Sequence, residues 1–234
     1  MPYYFIDYWY VIFCVPPLIF ALWAQYRVNS TYKKYSKIAT RHGMTGAEAA
    51  SMVLRQNGVA QMPIVQVAGN LTDHFDPKNN TISLSQGVHS SQSVAAVGIA
   101  AHEAGHAVQH ATGYSPVRLR TALVPVANIG SQAGIWLAVL GIAFATRMLA
   151  YVGVALYLFF VLFQLVTLPV EFNASRRAMA ALEGCGRFSE EELRGSKKVL
   201  GAAALTYVAA LASSVGMLLR LLVIVNGNGG RRRR

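Results

Sequence analysis

His102, Glu103 and His106 stand in the order His-Glu-x-x-His, which can hold a divalent metal and hydrolyse a bond beside it. On an α-helix, residues four apart share a face, so the two imidazoles point at one place and can bind zinc. Glu103 projects about 100° around the helix from His102, where its carboxylate can take a proton from a zinc-activated water without ligating the ion. With six histidines and seven glutamates in 234 residues, chance predicts on the order of 0.005 such matches, so the pattern carries weight. Its flanks, Val97 to Ala101 on one side and Ala104, Gly105, Ala107 and Val108 on the other, are small and apolar. Such a helix is buried, and buried His and Glu need partners, so a solvated polar face is the weaker reading.

A catalytic zinc needs a third protein ligand and one open position. Gln109 and Thr112 occupy the places where the metzincin pattern would set its Gly and third His, so that route fails. His110 lies on a similar face but about 6 Å of helical rise past His106, too far for the same ion. It suits a place beside the metal or toward the substrate. The acids after the motif are Glu171, Glu183, Glu190, Glu191 and Glu192. Glu190 to Glu192 follow Ser189 and read as the solvated first turn of a helix, and Glu183 precedes Gly184 near a helix end. Glu171 differs, because it follows an unbroken apolar run and Pro169. A carboxylate at the lip of a membrane span is costly unless something binds it. Glu171 is therefore the favoured third ligand, in the first turn of a helix opened by Pro169, over an interfacial glutamate paired with Arg176 or Arg177. One catalytic Zn2+ on His102, His106 and Glu171 is expected.

These residues need elements to carry them, and the composition says what kind. Hydrophobic residues make up 54% and charged residues only 13%, against about 25% charged in a soluble domain. Four stretches are long and apolar enough to cross a bilayer as helices of about 20 residues: 3–24, 123–145, 148–168 and 199–225. The middle two are separated by a short turn around Thr146 and Arg147, which makes them a hairpin. The last is rich in small residues, suiting close helix packing, and carries Arg220; a helix lying partly in the interface is its alternative. The opening stretch lacks a basic start and a small-residue cleavage site, so it reads as a retained span rather than a signal peptide.

The polar stretches 25–120 and 169–198 flank two spans and so share one side of the membrane. They hold 15 of the 21 basic residues, and the positive-inside rule puts both in the cytoplasm. The net charge of +11 is therefore read as loop bias and not as nucleic-acid binding; the Arg231 to Arg234 run, which disagrees with it, carries no function. Cys14 and Cys185 form neither a metal motif nor a disulfide framework.

The expected fold is mainly α: a multi-span transmembrane helical bundle of about four spans with a small α+β cytoplasmic zinc-peptidase insert. Its parts are a first span at 1–26, the insert at 27–120, a transmembrane hairpin at 121–168, a cytoplasmic segment with the third ligand at 169–198, and a last span with a basic tail at 199–234. In the insert, residues 30–57 look helical, with Thr45 capping a second helix that stops at Asn57-Gly58. Pro63 to Val67 and Thr81 to Ser85 have strand character, Gly69 to Asn80 is full of turn formers, and 91–111 reads as one helix. The Gln66 to Pro77 segment is either an exposed edge that holds a peptide by strand addition or an ordinary hairpin turning at Asp76 to Asn79. For Asp73, His74 and Asp76, turn hydrogen bonding is preferred over a second metal.

The runs His102 to His110, Ser115 to Arg120 leading into Leu123 to Gly130, and Glu171 to Arg177 resemble the YugP-type neutral zinc metallopeptidases of bacterial membranes. The resemblance extends over nearly the whole chain, including Gly69 to Pro77. More distantly, the two-His, one-Glu arrangement is similar to gluzincins such as the HtpX-type membrane proteases. Those carry an Asp four residues after the ligand Glu, supporting a zinc-binding His. Ser175 stands there in this chain, so Ser175 and Asn173 become the candidates for that support.

The resemblance implies a membrane-embedded zinc endopeptidase of the cell membrane with its site facing the cytoplasm, Glu103 serving as general base. Its partners would be the lipid bilayer and a peptide or membrane-protein substrate; the oligomeric state is left open. Arg176 and Arg177 could steady an oxyanion or a substrate carboxylate, although anchoring of a span end explains them more simply. The alternative from another class is a non-catalytic membrane protein with a structural or regulatory zinc. A structural site normally closes with four ligands, which argues against it.

Overall fold

The computed structural model describes residues 7–59 and 62–227. The first residues of the expected opening span and the Arg231 to Arg234 run lie outside them. In chain order the elements are α1 (Tyr8–Phe13), α2 (Val15–Tyr35), α3 (Gly46–Gln56), β1 (Ile64–Val67), β2 (His74–Asp76), β3 (Thr81–Ser85), α4 (Gln86–His89), α5 (Val94–Ala111), α6 (Ser115–Ala143), α7 (Arg147–Gly184) and α8 (Glu190–Gly227). The fold is mainly α, with four helices long and apolar enough to cross a membrane: Tyr8–Tyr35 (α1 and α2), α6, α7 and α8. The chain divides into two compact units.

The first unit takes the described parts of 1–24, 118–168 and 206–234. Here α6 and α7 form the expected hairpin, turning at Ala145 in the left-handed region (φ 54°). Glycine lets the two backbones touch: a β-carbon on Gly134 would lie 2.8 Å from the Tyr157 amide nitrogen. Ala138, Ala150, Val154, Tyr157, Val161, Leu221 and Val225 make the shared core. Large apolar side chains cover the outside, among them Trp136 at 62% and Met148 at 75% exposure. Exposed apolar surface on that scale needs lipid. The Asp7 carboxylate receives Arg220 Nη2 at 3.0 Å and Nε at 3.3 Å, and the guanidinium sits 5.3 Å from the centre of the Tyr10 ring. Gly216 packs against the Phe13 carbonyl. Pairing 7 with 220 and 13 with 216 makes the last segment run antiparallel to the first, alongside it.

The second unit comprises 25–117 and 169–205. Its core gathers Val53, Leu54, Ile82, Leu84, Val88, Val97, Val108 and Leu182. Thr45 caps α3 as read from the sequence, in a capping box with Glu48, and Asn57 and Gly58 end the helix. Ser93 caps α5 through Ala96 N–H at 3.2 Å. Ile38 to Thr40 straps across the approach to α5, with Ala39 bridged to Ser93. The long helix α2 ends at Tyr35, so only part of the helical stretch expected from residue 30 forms.

The structure resolves three of these readings. First, the hairpin turning at Asp76 to Asn79 forms, and the turn-rich Gly69 to Asn80 supplies its strand β2; the sheet has order β1-β3-β2, with β1 parallel and β2 antiparallel to β3. Two residues facing Thr81 and Ile82 suffice to close the hairpin, and the Asp76 carboxylate accepts the Lys78 N–H at 2.8 Å to hold its turn. Second, Pro169 does not open a helix. It lies inside α7, which continues through it, and the missing N–H removes a single bond to the Leu165 carbonyl. Glu171 is therefore mid-helix. Third, Glu192 is buried, not solvated: its carboxylate accepts the Arg41 N–H and the Ser189 N–H, both at 2.6 Å, and joins the 41 region to the start of α8.

Candidate metal centre

The centre is assembled within the second unit by α5 and the 169–184 part of α7. α5 carries His102, Glu103 and His106, and α7 carries Glu171. The helices meet where α5 has no side chain: a β-carbon on Gly105 would lie 2.5 Å from the Ala174 carbonyl oxygen. That contact brings Glu171, one turn before Ala174, beside the histidines. His102 Nε2 and His106 Nε2 are 3.2 Å apart. Glu171 Oε2 lies 3.3 Å from the first and 3.4 Å from the second. These three residues could hold a metal ion. A tetrahedral zinc with bonds of about 2.0–2.1 Å spaces its ligand atoms about 3.3–3.4 Å apart, so the triangle already has the required edge. The Glu171 side chain is only 4% exposed and the histidines 14%, so little water competes for the position.

The outer nitrogens decide whether the inner ones can ligate. His102 Nδ1 is 3.1 Å from Ser175 Oγ, and His106 Nδ1 is 3.0 Å from Gln109 Oε1. An amide oxygen only accepts, so Nδ1 is the nitrogen of His106 that would donate to it, and in the neutral ring that leaves the lone pair on Nε2. The two Nε2 atoms and the Glu171 oxygen converge on one point, where a cation could be held. Burial opposes charge on His106, but the Glu171 carboxylate, with Glu103 and Gln109 behind it, outweighs burial and raises its pKa.

Glu103 is half-buried on α5, directly after His102 and three residues before His106. Of the remaining candidates, Ser175 touches His102, whereas Asn173 reaches no histidine: its Oδ1 accepts from Gln109 Nε2 at 3.0 Å and from Arg177 Nε at 2.9 Å. Arg176 is exposed, and it is Arg177, over the Tyr114 ring at 6.0 Å, that joins the network. His110 is exposed and lies against Phe75 of β2, ring centres 5.6 Å apart. Asp73 accepts from Ser85 and Asp76 from its own turn, the hydrogen-bonding alternative for both. Gln109, wholly buried, is the residue sequence reasoning missed. A carboxamide among alanines and valines, three residues after a candidate ligand, was its only signal.

A family described as "Putative neutral zinc metallopeptidase" matches residues 10–226. The chain is also 41% identical over 219 residues to the "Putative membrane protease YugP" of Bacillus subtilis (strain 168), covering 93% of this chain and 97% of that one. No solved structure matches it.

Proposed function

The chain belongs to this neutral zinc metallopeptidase family, and from that premise we propose that it is a membrane endopeptidase with His102, His106 and Glu171 as ligands of one zinc ion. The observation that carries the reading is the 3.2–3.4 Å triangle of Nε2, Nε2 and Oε2. Three protein ligands leave a fourth position open, as catalysis requires and structural zinc does not. When bound, zinc supplies the positive charge that polarises a water and the scissile carbonyl. Glu103 takes the proton from the attacking water and hands it to the leaving amine. Its place on α5, next to His102 but turned about 100° from it, keeps it off the metal and free for that task.

The substrate class follows from the setting. The ligand Glu171 sits on a helix that is itself a candidate span, which favours membrane proteins or peptides at a bilayer surface. The β2 edge, paired among the described residues with β3 alone and packed through Phe75 against the metal helix, offers backbone groups to an extended substrate. The basic residues of 25–120 and 169–198 favour a cytoplasmic site in the cell membrane.

Metal content and cleavage of a casein-type substrate test the reading, with wild type and Glu103→Gln purified side by side in detergent. Zinc in both and cleavage by wild type alone is the expected result. Zinc in neither overturns the metal assignment. Zinc in both and equal cleavage removes Glu103 from the mechanism.

A further inference from the structure

Gln109 sits in a chain of hydrogen bonds whose donor and acceptor roles can be assigned without ambiguity, beginning at an arginine. Arg177 Nε carries a hydrogen and accepts nothing, so the Asn173 atom 2.9 Å away is its oxygen. That oxygen accepts, so the Gln109 atom 3.0 Å away is the amide nitrogen. A second constraint agrees: the same nitrogen is 2.7 Å from the Val170 carbonyl oxygen, which also only accepts. Both of its hydrogens are then used. The other Gln109 atom is oxygen, 3.0 Å from His106 Nδ1, and that nitrogen must donate. The neutral ring then has its lone pair on Nε2, toward Glu171 and His102.

We propose that Gln109 is a positioning residue: its carboxamide, oriented by Asn173, Arg177 and the Val170 carbonyl, locks His106 in the Nδ1–H tautomer that ligation through Nε2 requires. The inference rests on the metal reading above and extends it. Its physical content is an asymmetry between the two histidines. Ser175 Oγ, 3.1 Å from His102 Nδ1, can donate or accept, so a serine leaves the tautomer of that ring undecided. The buried amide does not. Gln109 also ties the histidine to α7 twice, through Val170 and Asn173 on either side of Glu171 in sequence, so the ring and the third ligand move together.

Zinc affinity by chelator competition and 15N chemical shifts of labelled histidine test this on the full chain in detergent. His106→Ala, Gln109→Leu and Asn173→Asp are compared with wild type. We expect His106→Ala to lose tight binding. Gln109→Leu should weaken it about 10–100-fold, the usual cost of removing a partner behind a zinc ligand. Asn173→Asp should stay near wild type, because only an acceptor is needed between Gln109 and Arg177. Metal-free wild type, at a pH where the ring is neutral, should show His106 protonated on Nδ1. Wild-type affinity in His106→Ala overturns the metal reading itself. Loss in His106→Ala with none in Gln109→Leu overturns only the positioning role. Should Gln109→Leu fail to fold, the wild-type spectrum decides alone, since an Nε2–H tautomer for His106 contradicts the lock.

Discussion

Gly105 and Ala174 hold the backbones of α5 and α7 so close that a β-carbon on the glycine would lie 2.5 Å from the alanine carbonyl oxygen and 3.2 Å from its Cα. The obstacle is main chain, which cannot rotate aside. On an isolated helix, Gly→Ala would stabilise by about 1 kcal/mol. Here the overpacking cost of about 1–3 kcal/mol wins, because the helices must part. Gly105→Ala should lower the melting temperature and, by withdrawing Glu171 from the histidines, weaken zinc binding more than it weakens the fold. Thermal melts with and without zinc measure both.

Ser175 stands 3.1 Å behind His102 Nδ1, where a carboxylate would make the ring a stronger donor to a metal. Ser175→Asp should therefore tighten zinc binding, and Ser175→Ala should weaken it toward the low end of about 10–100-fold. Chelator competition checks the order Asp, Ser, Ala. Equal affinities in all three would remove Ser175 from the support of His102.

The Thr45–Glu48 capping box gives a pH dependence of known sign. Glu48 accepts the Thr45 N–H at 2.8 Å and its hydroxyl at 3.0 Å, and these bonds, the backbone one first, lower its pKa below the ordinary 4.5. Stability from this carboxylate is present above the unfolded value and is lost as pH falls through the lowered one. Thr45→Ala should cost about 1 kcal/mol near neutral pH and less in acid, once Glu48 is protonated in both proteins. Unfolding curves at two pH values decide it.

In the first unit, Asp7 and Arg220 make a bidentate pair beside Tyr10. Removing Asp7 takes away the carboxylate that two nitrogens of the Arg220 guanidinium face. Asp7→Ala should destabilise by about 1.5–3 kcal/mol, whereas Asp7→Ala combined with Arg220→Leu should recover part of that loss, since a well-packed apolar pair can replace an ionic one. A double-mutant cycle on detergent-solubilised protein measures the coupling. A double variant as unstable as the sum of the singles would show that the pair does not couple.

Local pattern determined much of this protein. The i, i+4 spacing of His102 and His106 needs only an α-helix to bring their rings together, and Glu171 stood out because a carboxylate after an apolar run needs a partner. The spans were legible because hydrophobicity and length act within a single segment, and the Thr45 cap because its bonds stay within three residues. The tertiary structure decided whatever depends on a second element. β2 forms because β3 offers an edge to pair with, against local turn propensity. α7 passes through Pro169 because one lost hydrogen bond is small beside the many bonds of a 38-residue helix. Glu192 is buried because Arg41, 151 positions away, supplies a donor. Gln109 faces His106 because Val170, Asn173 and Arg177 arrive from α7 to orient its amide. A sequence lists such donors and acceptors, but only the packing of two helices across Gly105 assigns each to its partner.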